Sequence, residues 1–256
     1  RYPAAIAKLV MEQTDHQLLV GEGAVQFART HGFPEENLLT EKARKIWLYW
    51  KQTRSTDDDW LPPLFETLDD DVREFFEKTG HVAKGELKSQ TNDVSPAKRK
   101  IERPTGTIHS ACINSQGDIS ATTTTSGLAF KIPGRVADSA IVGAGLYVDN
   151  NIGSCGSTGR GEVNLLNCSS VVAVELMAGG ISPEEAGMEI LQRIAKRTED
   201  RYRDTEGRPD FQINFYLLDK QGNHAGVSMW GPKQFAITDK NGTRLEEAKC
   251  LYERVT

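Results

Sequence analysis

Cysteine is sparse in this chain of 256 residues, and its four copies, Cys112, Cys155, Cys168 and Cys250, stand too far apart for a CxxC pair or a zinc-ligand grouping. They are expected to be mostly buried small apolar residues. The five histidines are equally scattered. No apolar run approaches the roughly 18 residues that a membrane-spanning helix needs. The opening "RYPAAIAKLVMEQ" reads as an amphipathic helix without the apolar core of a signal peptide. Positive charge is not in excess either: a formal net charge of -5 argues against a nucleic-acid surface. The one basic cluster, "AKRKIER", falls in a soft, charged stretch at residues 84–102 and reads as a solvated or protease-accessible loop. Two acidic triplets, Asp57-Asp58-Asp59 and Asp69-Asp70-Asp71, lack the alternating spacing and glycine of a calcium loop, and the second suits a helix N-terminus. "LLVGEGAVQFAR" begins like a dinucleotide-binding turn but has no third glycine and no acidic residue after a second strand. No metal or cofactor is expected.

What is there is a globular composition, 38% hydrophobic and 26% charged, with a change of character near residue 106. The first hundred residues look mainly helical. "PAAIAKLVMEQ" starts on proline; "EGAVQFARTHG" ends at Gly32, a candidate C-cap; "TEKARKIWLYWKQ" puts Ile46, Trp47 and Trp50 on one face. From Thr107 strands take over. "TIHSACI" and "GDISATTTTSG" flank the turn "NSQG", and "SAIVGAGLYVD" follows. Two helices come next, "GEVNLLNCSSVVAVELMAGG" and "SPEEAGMEILQRIAKR", the second with a Ser182-x-x-Glu185 capping box. "FQINFYLLD", "GNHAGVSMW" and "KQFAITD" read as strands. Helices outside two antiparallel sheets would account for this order.

The join "RPTGTI" raises a chemical possibility. A threonine hydroxyl is a poor nucleophile without a base, but a cut before Thr107 would free an α-amine with a pKa of about 7.7 to 8.0. Gly106 would tolerate the unusual angles of a strained scissile bond. Taken alone, a Gly-Thr step is equally a plain loop-to-strand join. Further on, Arg135 and Asp138 stand three apart in a glycine-punctuated loop. Arginine grips a carboxylate and a carboxylate grips an ammonium, so the two could hold both ends of an amino acid, or form a surface pair. A threonine-glycine turn at Thr158-Gly159, next to Gly161, could cradle an oxyanion.

With these segments in order, the chain resembles the N-terminal nucleophile hydrolases of the glycosylasparaginase and plant-type asparaginase family. The resemblance runs from residue 2 to about 245. "GTIHSACINSQGD" is similar to the family's nucleophile strand and "TTTTSGLAFK" to the strand carrying its second threonine. "PGRVADS" is similar to its substrate-clamp loop, with Ala137 and Ala140 where the family has glycine and proline. "AGLYVDN" and "STGRGE" resemble its oxyanion region. The resemblance implies that Thr107 is nucleophile and, through its freed amine, general base. It implies that Thr125 orients the Thr107 hydroxyl, although Thr122 to Thr125 also suit any strand. Arg135 would bind the substrate α-carboxylate, Asp138 its α-amino group, Thr158 and Gly159 the oxyanion, with Gly161 lining the site.

The fold implied is α+β, a four-layer αββα sandwich of the N-terminal nucleophile hydrolase type. The family has several dozen residues ahead of the segment with which this chain opens, so the first core strand and helix are expected to be lacking here. Residues 1–106 would be the α-subunit part, ending in a linker at 84–106, and 107–256 the β-subunit, the two forming one structural domain. The implied assembly is a homodimer of cleaved αβ units acting on a small asparagine or glycosyl-asparagine substrate, with no nucleic-acid or membrane partner. "TTSGLAF" and "AGLYVDN" favour cleavage of the amide of N4-(β-N-acetylglucosaminyl)-L-asparagine. Gly106 is the habit of the isoaspartyl peptidase/L-asparaginase branch, the alternative; an uncleaved, non-catalytic paralogue is a third reading. His109, on the same face as Thr107, is the one rival base, and otherwise a space-filling strand residue.

Overall fold

The computed structural model describes residues 1–53, 63–79, 106–129 and 131–254. The triplet Asp57-Asp58-Asp59, the soft stretch at 84–102 and its basic cluster lie outside the described residues. The chain divides into two compact units.

The smaller unit, drawn from Arg1, Arg29–Pro104 and Leu128–Ile132, is helical in its described part. Helices are numbered along the chain: α1 (Pro3–Gln13) and most of α2 (Gly21–Thr30) fall in the larger unit, and α3 (Glu41–Thr53) and α4 (Asp70–Thr79) in the smaller. Past the end of α2, Gly32 takes the left-handed conformation expected of a cap, its N–H donating to the Arg29 carbonyl at 2.9 Å. Asp70 and Asp71 occupy the first turn of α4, as their position before an apolar-periodic run suggested. The core of this unit is Ile46, Tyr49, Val72 and Phe76, with the Tyr49 and Phe76 rings edge to face at 4.9 Å. The buried face of α3 therefore runs through Ile46 and Tyr49 rather than through Trp47. Trp47 is exposed, and the Lys51 ammonium lies over its ring.

The larger unit comprises Tyr2–Ala28, Thr105–Gly127 and Pro133–Thr256. Its centre is a five-stranded sheet ordered β3 (Leu146–Asp149), β4 (Gly153–Gly159), β5 (Ile213–Asp219), β6 (His224–Gly231) and β9 (Lys249–Glu253). The pairs are antiparallel except β6 with β9, which is parallel. The sheet is therefore mixed, not antiparallel throughout. The reason is a hairpin, β7 (Gln234–Asp239) and β8 (Gly242–Glu247), placed between β6 and β9 in the chain, which returns β9 in the direction of β6. β8 and β9 carried no apolar pattern strong enough to be read as strands from sequence.

Period-two alternation gives this sheet its two faces. Cys155, Phe215, Leu217, Val227 and Met229 point to one side and pack with Val174, Met177, Ile190, Leu191 and Ile194 of two helices, α6 (Ser169–Ala178) and α7 (Pro183–Arg197). The Ser182–Glu185 capping box at the start of α7 is present in both directions. A short helix, α5 (Gly161–Asn167), precedes α6; the two were expected as one, but Cys168 breaks them with a left-handed backbone at φ 46°. Cys155 is the one fully buried cysteine; Cys112 and Cys168 are exposed and Cys250 is intermediate. Cys112 stands at an outward position of a strand that alternates in burial and Cys168 at the break between α5 and α6, so place in the fold and not residue type set their exposure.

On the opposite face lies the hairpin β1 (Ile108–Ile113) and β2 (Ile119–Thr124), with Ile108 opposite Thr124 and the turn at Asn114–Gly117. The Asn114 side-chain oxygen accepts the N–H groups of Gln116 and Asp118 and closes that turn. α1 lies against β2. The described residues thus layer two helices, the five-stranded sheet and the two-stranded sheet, an α+β arrangement. "SAIVGAGLYVD" is a strand only from Leu146; Asp138–Ala140 is a 3₁₀ turn, and the glycines at 143 and 145 carry an irregular bend between them. No described helix is long and apolar enough to cross a membrane.

Candidate active site

The β1–β2 register brings the two threonines singled out from sequence side by side. Thr107, just ahead of β1, donates its hydroxyl to Thr125 Oγ1 at 3.0 Å. Thr125 Oγ1 also accepts the Gly127 N–H at 2.9 Å, which fixes its position and leaves the lone pairs of Thr107 Oγ1 uncommitted to it. Gly106 is exposed and not left-handed, and a Cβ there would meet only Ser126 Oγ, at 3.4 Å. The uncut backbone does not by itself demand glycine at that position.

Thr158 and Gly159 are not a turn but the last two residues of β4. Gly159 has φ 116°, and a Cβ on it would strike the Gln212 carbonyl, so no other residue fits. Cross-strand partners pin Thr158. Asn214, opposite it on β5, donates from Nδ2 to Thr158 Oγ1 at 2.9 Å. Asn214 is itself oriented by Ser228 on β6, whose hydroxyl donates to Asn214 Oδ1 at 2.8 Å. With Oγ1 accepting from Asn214, the Thr158 proton is available to a group outside this pair; the Tyr216 hydroxyl lies 3.2 Å away.

Arg135 and Asp138 do not form a surface pair. Asp138 is buried, and its Oδ2 accepts from Ser157 Oγ at 2.6 Å and Asn164 Nδ2 at 2.8 Å. Asn164 also donates to the Ala144 carbonyl, which ties α5 to the bend before β3. Oδ1 of Asp138 faces Gly161, where a Cβ would collide with it and with Ala137. Ala137 sits at φ −105°, a backbone any residue adopts, so the alanine in place of glycine costs nothing there. The Arg135 side chain, 16% exposed, gives Nε–H and Nη2–H to Glu162 Oε1 at 2.8 and 2.6 Å. Burial works to raise the Glu162 pKa, but the Arg135 hydrogen bond, its own backbone N–H dipole and the charges of Arg135 and Arg160 hold it below the usual carboxylate value.

His109 links the two groups. Its ring covers Gly156 of β4, where a Cβ would overlap it, and stacks on Tyr216 with centroids 6.0 Å apart and planes 7° off parallel. Thr123 gives its proton to the Gly145 carbonyl, so His109 Nδ1–H donates to Thr123 Oγ1 at 2.9 Å and Nε2 is the bare nitrogen, buried without a partner among the described residues. Burial lowers the His109 pKa to about 4. The unfolded chain therefore takes up a proton near pH 6.5 that the folded chain refuses until about pH 4. Stability is expected to be full above pH 6.5 and to fall between there and pH 4, by at most about 3 kcal/mol. Urea unfolding at pH 7 and pH 4.5 checks this; His109→Gln should flatten most of the slope, and an unchanged slope would assign it to other groups.

Sequence reasoning missed Ser157, Asn164, Asn214, Tyr216, Ser228 and Glu162. Glu162 ends the motif "STGRGE" and was in view. The others are single polar residues in strands or helices, whose signal is only a polar side chain at an inward position. Among the described residues no three His, Cys, Asp or Glu side chains group as a metal site requires.

The family model for asparaginase matches residues 1–202. An N(4)-(beta-N-acetylglucosaminyl)-L-asparaginase of Elizabethkingia miricola is 34% identical over 244 residues, 95% of this chain and 59% of the relative. A putative enzyme of the same name from Drosophila melanogaster is 32% identical over 260 residues, 96% of this chain and 60% of the relative. A probable isoaspartyl peptidase/L-asparaginase of Arabidopsis thaliana is 32% identical over 242 residues, 90% of this chain and 62% of the relative. The chain spans about 60% of the length of these curated relatives.

Proposed function

Because the chain belongs to the asparaginase family, we propose that its whole protein is an amidohydrolase that cuts itself at Gly106-Thr107 and then hydrolyses the side-chain amide of N4-(β-N-acetylglucosaminyl)-L-asparagine. The observation that carries the reading is the Thr107–Thr125 hydrogen bond at the head of β1, a hydroxyl held where a cut would give it an adjacent amine. In this reading Thr107 and Thr125 are catalytic with Thr158 and Gly159, while Arg135, Asp138 and Gly161 bind substrate. The active units pair as homodimers.

The freed amine of Thr107 takes the proton of Oγ1, which attacks the side-chain amide carbon. The carbonyl oxygen, now an oxyanion, receives the Thr158 hydroxyl, which Asn214 leaves free to donate, and the Gly159 N–H. The amine hands its proton to the departing sugar amine, and a β-aspartyl ester to Thr107 remains. Water then attacks that ester, losing a proton to the amine, which passes it to Thr107 Oγ1 as the ester bond breaks and aspartate is released. Arg135 holds the α-carboxylate. Asp138 offers Oδ1 to the α-ammonium across the space Gly161 leaves. His109 is a poor candidate for the base, because burial lowers its pKa to about 4 and leaves its ring little affinity for a proton.

The sugar-linked substrate is supported by the names of most of the relatives above, while Gly106 favours the second reading, an isoaspartyl peptidase/L-asparaginase. Assaying the full-length protein on glycosylated asparagine, free asparagine and a β-aspartyl dipeptide separates them, with the glycosylated substrate expected to show the highest kcat/KM. Arg135→Ala should cost substrates with a free α-carboxylate about 2 to 5 kcal/mol. Amidating that carboxylate should cost the wild type as much and the variant little; equal losses in both would show that Arg135 is not the clamp. One uncut, inactive chain over days would instead mark a binding protein without chemistry.

A further inference from the structure

Resting on the reading of Arg135 as the carboxylate clamp, we propose that Glu162 is a positioning residue of the substrate site, fixing which edge of the Arg135 guanidinium meets the substrate. The guanidinium carries five N–H groups in a rigid plane. Glu162 Oε1 takes Nε–H at 2.8 Å and Nη2–H at 2.6 Å, so that one side of the plane is fully used. What remains is the end-on fork of Nη1 and the second Nη2–H, the spacing that matches a carboxylate bidentately. An arginine side chain has many rotamers to lose on binding. Here they are lost before substrate arrives.

A simpler role for Glu162 would be favourable charge in the first turn of α5. The geometry argues against that alone. A carboxylate serving a helix end needs no particular partner, whereas both Arg135 donors converge on Oε1. Its other oxygen, Oε2, is buried with no hydrogen-bond partner among the described residues. The side chain is turned to the arginine at the expense of solvating that oxygen. Glu162 does not touch the reacting atoms, so its loss should weaken substrate capture rather than slow the bond-breaking step.

The test uses the full-length, self-cleaved protein and two substrates, glycosylated asparagine with a free α-carboxylate and the same compound as its α-carboxamide. Glu162→Ala is expected to raise KM for the first about tenfold with kcat within about twofold, and to leave KM for the second unchanged. Glu162→Gln, which keeps an oxygen for Nε–H, should fall between wild type and Glu162→Ala. Equal changes on both substrates, or none on either, in both variants would overturn the proposal. Arg135→Ala, run alongside, separates two failures. If Arg135→Ala distinguishes the substrates and the Glu162 variants do not, this inference fails alone; if Arg135→Ala does not distinguish them, the clamp reading beneath it has failed.

Discussion

Thr107→Ala is expected to leave the full-length chain uncut and to lower hydrolysis by about 10⁴-fold or more, the scale seen when a covalent nucleophile is removed. The hydroxyl is the proposed attacking group in both events: on the preceding carbonyl during self-cleavage, and on the substrate amide afterwards. Its described contact is one hydrogen bond to Thr125, so the substitution should cost only about 1 kcal/mol of stability. Lost activity in a protein that melts nearly normally would therefore report chemistry, not unfolding. Thr107→Ser keeps the oxygen and should still be cut, more slowly or to a lesser extent. N-terminal sequencing for a new end at Thr107 and denaturing gels check the first step, and release of the sugar amine checks the second. A cut Thr107→Ala chain would sink self-cleavage by this residue.

The second large effect falls on Asp138, where stability and binding are joined. Its carboxylate is buried and receives hydrogen bonds from Ser157 and Asn164. Asp138→Ala leaves the Ser157 hydroxyl without its acceptor, takes from the Asn164 amide one of its partners, and opens a gap beside Gly161, at a cost of about 2 to 4 kcal/mol. It also removes the proposed partner of the substrate ammonium. Asp138→Asn fills the space and should recover much of the stability while leaving binding poor, because a neutral amide gives the ammonium no charge. Denaturant midpoints and KM, measured together on both variants, separate the two roles. If Asp138→Asn binds substrate as the wild type does, the ammonium is held elsewhere.

The candidate site residues were legible because they come in ordered motifs. Thr107, Thr125, Arg135, Asp138, Thr158, Gly159 and Gly161 were all named from sequence, and the structure joins Thr107 to Thr125 and sets Asp138 against Gly161. Their supports were not legible. Asn214 and Ser228 matter only because β4, β5 and β6 lie adjacent in one register, a fact about pairing that one-dimensional alternation does not contain. The parallel β6–β9 pair was invisible for the same reason. On α3 the period was right, but adjacent aromatics at Trp47, Tyr49 and Trp50 made the choice of face depend on α4, which supplies Val72 and Phe76. At Cys168 a left-handed break interrupts a run whose composition reads as continuous helix.

β4 places its odd and even residues in different services. Cys155 and Ser157 look toward the helices, one filling the core and the other holding Asp138, while Gly156 and Thr158 look toward His109 and Tyr216. Both sets are one residue from the wrong side. A codon inserted at the start of the strand would exchange them, putting Ser154 where the core holds Cys155, and the Cys155 thiol where Gly156 lies under the imidazole ring. Evolution can therefore edit this strand letter by letter but not change its length. Natural variation in this segment is therefore expected to be confined to substitution, the length of the strand being as much a part of the candidate site as any side chain on it.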